Sequence, residues 1–221
     1  RKVDPALLRN TLQSAVMQVG RKFVYSQVDG GYRSEEVKNA LGLLCDAGIL
    51  KAVRHTAANG LPLGAEVNKK FCKYIYLDSG LLLRILDLDL GGSKEVTDLI
   101  LLGAAEDLVN KGGLTEMAAG WEIVKAGNPR TQRDLYYWEN LANGATSEID
   151  YVVSHDMKVL PIEVKAGVSG KMKSLRFMQK KRLTRAVRAS LENFGEIRLA
   201  DGEEAARIEI CPLYALGNAV R

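Results

Sequence analysis

Two short segments in the second half of the chain combine acidic side chains with a lysine. Residues 147–153 and 160–166 are each predicted to form a strand, and successive side chains point to opposite faces of a strand. Glu163 and Lys165 therefore share one face of the second strand, and Asp150 lies on the polar face of the first. The spacing from Asp150 to Glu163 fits a strand, a turn and part of the next strand. We expect these three side chains to converge.

This group of side chains is suited to phosphodiester cleavage. Carboxylate oxygens are preferred ligands of Mg²⁺, and a bound cation polarises a phosphate and acidifies a bound water. We predict Asp150 and Glu163 as ligands of Mg²⁺ or Mn²⁺, with the backbone carbonyl of Val164 as a further ligand. Lys165 is the predicted catalytic residue that stabilises charge on the phosphate and orients the water. Glu148 shares the strand face of Asp150 and is a candidate supporting acid or ligand. The alternative is a solvated Glu-Lys ion pair.

The elements around these strands resemble a known arrangement. A predicted helix enters through Gly112 and Gly113 and carries Glu116, and an aromatic strand at 135–138 follows it. Together with residues 161–165, this order resembles the PD-(D/E)XK nuclease-like domain at the C-terminal end of many bacterial AAA-type ATPases. The resemblance implies Glu116 as a further acidic catalytic residue. Its alternative is an ordinary glutamate on a helix surface.

The first third of the chain predicts a winged helix. Apolar residues recur at helical spacing from Ser34 until Gly48 ends the helix, and two strands follow at 49–53 and 70–76. Helices followed by such a hairpin are typical of winged helices, and these segments resemble the linker that precedes the nuclease-like domain in the same family. The exposed side of the helix is acidic, which favours a packing or coupling role over DNA binding. The better DNA candidates are on the hairpin: Arg54, Lys69, Lys70 and Lys73.

The predicted fold class is α/β in two domains. Residues 1–90 form the winged helix, and 96–221 form a restriction-endonuclease-like mixed sheet flanked by helices. A helical apolar period covers 97–110, which follows a glycine-rich linker. Two alternating segments, 196–199 and 207–210, are predicted to be outer strands of the same sheet.

A basic segment follows the strand of Glu163. Its apolar residues recur at helical spacing and predict one long helix over 171–191. Its remaining side is basic, and acids are almost absent between Lys165 and Glu192, which favours contact with a phosphate backbone. The alternative is a solvated helix surface. The predicted DNA contacts are Lys173, Arg176, Lys180, Lys181, Arg185 and Arg188.

Other patterns limit the class of protein. The chain has 221 residues and a net charge of +4, but no Gly-x-x-x-x-Gly-Lys-Ser/Thr phosphate loop. It begins at Arg1 rather than Met, so we expect a C-terminal fragment whose ATPase domain, with its ATP, is missing, and no ATP hydrolysis by the fragment. Three widely spaced cysteines argue against a disulfide framework and a zinc site. With no signal peptide or long apolar run, the expected location is the cytoplasm, without membrane contact.

These patterns predict a DNA-binding protein with a Mg²⁺-dependent endonuclease site. The set of Asp150, Glu163 and Lys165 favours an enzyme, because a scaffold has no need for those three side chains together. The acidic helix at 34–48 favours the alternative, a catalytically inactive DNA-binding or protein-coupling module of the same ATPase. The sequence leaves the choice between them open.

Overall fold

The computed structural model describes residues 3–86, 111–128, 130, 133–142, 147–167, 173–199 and 206–221. The predicted linker at 91–95 and the predicted helix at 97–110 lie outside these residues. None of the described helices is long and apolar enough to cross a bilayer.

Six α-helices and eight strands make up the described chain. The helices are α1 (Pro5–Met17), α2 (Ser34–Asp46), α3 (Ser79–Ile85), α4 (Lys111–Lys125), α5 (Lys173–Lys181) and α6 (Leu216–Ala219). The strands are β1 (Leu50–Thr56), β2 (Val67–Tyr76), β3 (Leu135–Glu139), β4 (Glu148–His155), β5 (Lys158–Val164), β6 (Arg185–Ser190), β7 (Gly195–Leu199) and β8 (Ala206–Pro212). Short 3₁₀ helices lie at Tyr25–Gln27, Leu63–Glu66 and Leu213–Ala215.

All eight strands belong to one mixed sheet in the order β2-β1-β3-β4-β5-β6-β8-β7. The pairs β1/β3, β5/β6 and β6/β8 are parallel, and the other neighbours are antiparallel. The predicted fold class, a mixed sheet flanked by helices, is confirmed, and the N-terminal helices with their hairpin are consistent with a winged helix. The hairpin also continues the large sheet, because Val53 of β1 lies opposite Leu135 of β3.

Helix α4 covers the face of the sheet on which the main core is built. Leu114, Met117 and Ile123 of α4 are buried in the same cluster as Tyr151 and Ile162 of the central strands. Apolar residues at three- and four-residue intervals give α4 this buried side. The indole Nε1 of Trp121 also donates to the carbonyl of Tyr76 at 2.7 Å, so α4 is held against β2 as well.

The prediction of one long helix over 171–191 is wrong. Helix α5 ends at Lys181, and the next residue, Arg182, has a φ of 53° that no α-helix accommodates. Residues Arg185–Ser190 form β6, which pairs in parallel with β5 and with β8. The apolar residues of this segment fit both the helical period and the strand period. Pairing with the neighbouring strands decides in favour of the strand. Arg185 and Arg188 therefore lie on an interior strand and not on a basic helix.

The contact between α4 and the sheet predicts a large effect of adding one methyl group. A Cβ at Gly120 would lie 2.5 Å from Oη of Tyr151 and 2.8 Å from Cδ1 of Ile75. We expect Gly120→Ala to lower the free energy of unfolding in urea by about 1–3 kcal/mol. The control is Gly42→Ala in α2, where a Cβ meets no atom within 4 Å. That variant should gain up to about 1 kcal/mol, and equal effects of the two substitutions would contradict the packing.

Candidate functional site

A cleft of about 300 Å³ opens where β5 ends and β4 begins. It is bounded by strands β4 and β5, by the first turn of α4 and by the loop after α1. We call it the acidic cleft. It is lined by Gly20, Gly112, Gly113, Glu116, Glu148, Asp150, Glu163, Val164 and Lys165. Each of the acids and the lysine predicted for the site is among these residues.

Strand pairing brings Asp150 and Glu163 together. Tyr151 lies opposite Ile162 in the antiparallel pair β4/β5, so Asp150 and Glu163 are the next residues along and project to the same face. The amide of Val164 donates to Oδ2 of Asp150 at 2.7 Å. This hydrogen bond fixes the carboxylate of Asp150 against the neighbouring strand.

Lys165 follows directly after β5 and is anchored to the next strand. Its amide donates to the carbonyl of Ala189 in β6 at 2.8 Å. Its ammonium lies 2.6 Å from Oε1 of Glu163. Glu163 is almost fully buried, whereas the side chain of Lys165 keeps 18% of its surface exposed. Lys165 can therefore face a substrate in the cleft while its backbone stays fixed.

Glu116 approaches the cleft from the first half of α4 and is buried. The hydroxyl of Tyr151 donates to the backbone carbonyl of Glu116 at 2.8 Å, which sets the height of α4 over the sheet. The helix also meets the loop after α1 without any intervening side chain. A Cβ at Gly20 would lie 2.6 Å from Cα of Gly113. Since Gly20 also has a φ of 75°, only glycine fits at this contact.

Lys73 is a residue of the site that the sequence did not place there. It was predicted to contact DNA from the hairpin, but only 2% of its surface is exposed. Its ammonium lies 2.8 Å from Oε1 of Glu116 and also forms an ion pair with Glu148. A signal was present in the sequence: Lys73 shares its strand face with Phe71 and Ile75, and a lysine in an apolar stripe requires a buried partner.

The charges of the acidic cleft shift the pKa values of its members. Burial disfavours the charged form of Lys73, but the carboxylates of Glu116, Glu148 and Asp150 outweigh it and raise the pKa of Lys73. Burial raises the pKa of Glu116 to about 8 and that of Asp150 to about 6, and attraction to Lys73 offsets only part of each shift. Burial of its carboxyl groups therefore lets the cleft retain protons near neutral pH.

Three carboxylates are close enough to share one cation. Ligand oxygens of Glu116, Glu148 and Asp150 lie within 4.8 Å of one another. Glu163 is not in this group, and its carboxylate is held by Lys165 instead. The donor set of buried carboxylate oxygens suits a hard cation such as Mg²⁺. The assignment of Asp150 and Glu163 as the ligand pair stays a prediction.

The predicted DNA contacts separate into two groups. Arg185 donates two hydrogen bonds to the carboxylate of Glu209, and Arg188 is buried and paired with Glu192 at 3.4 Å. The prediction that these two arginines lie on an exposed helix face is wrong, because both belong to β6, an interior strand of the sheet.

The second group lies on α5. The ammonium of Lys181 donates to the carbonyl of Ala57 at 2.8 Å, whereas Arg176 and Lys180 are exposed. Lys173 lies in the first turn of α5. Helix α5 packs against β4 and β5, the two strands that form the acidic cleft. Of the predicted contacts whose side chains the structure describes, Arg176 and Lys180 are the exposed ones, and the prediction of phosphate contact stays with them.

The raised pKa values predict that metal-free protein loses stability as the pH rises. The folded state binds protons at Glu116 and Asp150 more tightly than the unfolded chain, so this stabilisation is complete below about pH 4 and is lost as the pH rises through 6 and 8. We expect the free energy of unfolding, measured by urea titration in EDTA, to fall continuously from pH 5 to pH 8.5. Glu116→Gln should flatten the upper half of this dependence. If Glu116→Gln shows the same dependence of stability on pH as the unaltered protein, Glu116 is not the group that binds this proton.

Comparisons with known proteins give two family matches and no named relative. Residues 1–91 match a family described as a domain of unknown function, DUF8612, and residues 111–216 match a second, DUF4143. DUF4143 is known in the context of AAA-type ATPases. No curated protein and no solved structure matches the chain. The chain is thus similar to two families of unknown function, and its winged-helix and PD-(D/E)XK assignments stay predictions.

Proposed function

We propose that this chain is the C-terminal part of an AAA-type ATPase and carries a Mg²⁺-dependent DNA endonuclease site in the acidic cleft. The observation that supports the proposal most is the meeting of Asp150, Glu163 and Lys165 at one end of two adjacent strands. Burying two carboxylates beside each other is costly unless a cation compensates them. Buried groups of this kind occur preferentially at catalytic and binding sites.

The residues of the cleft fit a divalent cation. Asp150 and Glu163 would hold it, with Glu148 and the carbonyl of Val164 as further oxygen donors. The cation would supply polarisation of the phosphate and a more acidic water. The fit is supported by the proximity of the carboxylates, since ligand oxygens of Glu116, Glu148 and Asp150 lie within 4.8 Å of one another.

Lys165 has the role of stabilising negative charge on the phosphate. Its ammonium is tethered to Glu163 at 2.6 Å, and the partial exposure of its side chain lets a second hydrogen bond reach a non-bridging phosphate oxygen. The same amine can orient a water for in-line attack on phosphorus. The proton of that water passes to a carboxylate of the cleft or to solvent, and the leaving group is the sugar oxygen.

A second candidate function is a DNA-binding or protein-coupling module without catalysis. The exposed positions Glu35 and Glu36 at the start of α2 favour it, because an acidic recognition helix repels phosphate. The ion pairs of Lys73 with Glu116 and Glu148 also favour it, since they neutralise part of the cleft without a metal. Metal binding separates the two functions.

Two variants distinguish ligand from catalyst. Glu163→Gln should abolish Mg²⁺ binding in isothermal titration and abolish plasmid nicking, because it removes a ligand. Lys165→Met should leave the cation bound and lower the nicking rate by about 10²–10³, the usual cost of one transition-state donor. The control is Lys158→Met, an exposed lysine at the other end of β5, which should change neither. Equal loss of metal binding in both cleft variants would contradict the separate roles.

DNA contact by α5 can be tested through the salt dependence of binding. Arg176 and Lys180 are four residues apart and share one side of α5. Replacing both with Ala should weaken DNA binding and reduce the slope of log K against log salt by about one unit per lost contact. A charge-matched control is Arg9→Ala with Lys38→Ala, two exposed residues of α1 and α2. The same loss in the control pair would show that binding follows net charge alone.

A further inference from the structure

The two segments that match different families build the acidic cleft jointly. Lys73 comes from residues 1–91, whereas all four carboxylates come from residues 111–216. If all four carboxylates are ionised, they carry four negative charges, and the ammonium groups of Lys73 and Lys165 cancel two of them. The net charge of the cleft is then minus two. A single divalent cation balances this charge, and a second one would leave the buried cleft positive.

Lys73 already lies where a second cation would bind. Its ammonium contacts Glu116 and Glu148, two of the three acids whose oxygens could share an ion. A divalent cation bound to those oxygens would lie close to the ammonium of Lys73, and the two positive charges would repel each other. Asp150 is the third acid of that group, but its carboxylate accepts the Val164 amide and makes no ion pair with Lys73 among the described contacts. Glu163 is paired with Lys165 instead.

Among the described residues, the neighbours of Lys73 hold its side chain in the cleft. Residues 72–76 of β2 are paired with β1, and the amide of Phe23 donates to the carbonyl of Cys72 at 2.9 Å. The ring of Tyr137 closes over the amine, with its centroid 5.1 Å from Nζ. An ammonium withdrawn into this core would lose both ion pairs without reaching water.

We propose that Lys73 is a fixed counter-cation that takes the place of a second metal ion, so that the acidic cleft binds one divalent cation and not two. This inference rests on the proposed metal-dependent function. Lys73 acts as a positioning residue: it holds Glu116 and Glu148 in place and leaves the cation to Asp150 and Glu163. The N-terminal segment is then an integral part of the site.

The test is the number of Mn²⁺ ions bound by the full chain, measured by electron paramagnetic resonance and by isothermal titration. The unaltered protein should bind one ion. Lys73→Met should bind two, because the freed carboxylates of Glu116 and Glu148 accept a second. Lys73→Arg should return the number to one, since a guanidinium restores the charge. The matched control is Lys70→Met on the same strand, an exposed lysine, which should leave the number at one.

A second variant allows for the instability of an unpaired Glu116. In Lys73→Met with Glu116→Gln, both members of the buried pair are neutral, so the protein should fold and bind one Mn²⁺ ion. Mn²⁺ should also raise the Tm of Lys73→Met more than that of the unaltered protein, because the metal replaces the missing charge. If Lys73→Met stays unfolded in millimolar Mn²⁺ while the double variant folds, the inference is wrong.

The outcomes separate this inference from the proposed function. If the unaltered protein binds no Mn²⁺ ion, the metal-dependent function fails, and the role of Lys73 fails with it. If it binds one ion, and Lys73→Met also binds one with the same affinity, the metal site stands and the role of Lys73 fails. Two ions in the unaltered protein would likewise overturn that role.

Discussion

The ion pairs that the buried Lys73 forms with the buried Glu116 and the partly exposed Glu148 constrain how the rest of the structure packs. Breaking a buried pair by removal of one partner typically costs about 3–5 kcal/mol, which is a large part of the stability of a domain. The pairs also join three elements that are distant in sequence, β2, α4 and β4. Because the charges must meet, the N-terminal hairpin cannot pack independently of the carboxylates.

Much of the acidic cleft could be predicted from the sequence because strands have a simple period. The alternation around Asp150 and Glu163 fixes which side chains share a face, and the number of residues between them fixes the turn. The antiparallel pair β4/β5 follows directly. The position of Glu116 came from family resemblance alone, because nothing in the local pattern of α4 shows which turn faces the end of the sheet.

The remaining features depend on contacts between distant residues. The apolar stripe around Lys73 indicates a buried partner, but the hairpin alone does not show which one, because Glu116 and Glu148 are distant in sequence. Strand β6 was predicted as helix because Leu183 and Val187 fit the helical period. Its pairing with β5 and β8 outweighs that local preference, and Arg182 makes the break between α5 and β6.

The parallel pairing of β1 with β3 has a consequence for the order of folding. Val53 and Leu135 are neighbours in the sheet, and parallel contacts across such a sequence separation form late. During synthesis Lys73 leaves the ribosome well before Glu116 and Glu148, so its charge has no buried partner until β4 has emerged. An unpaired ammonium strongly opposes burial. The hairpin that is made first is therefore expected to reach its final packing last, and an interrupted chain would keep Lys73 in water.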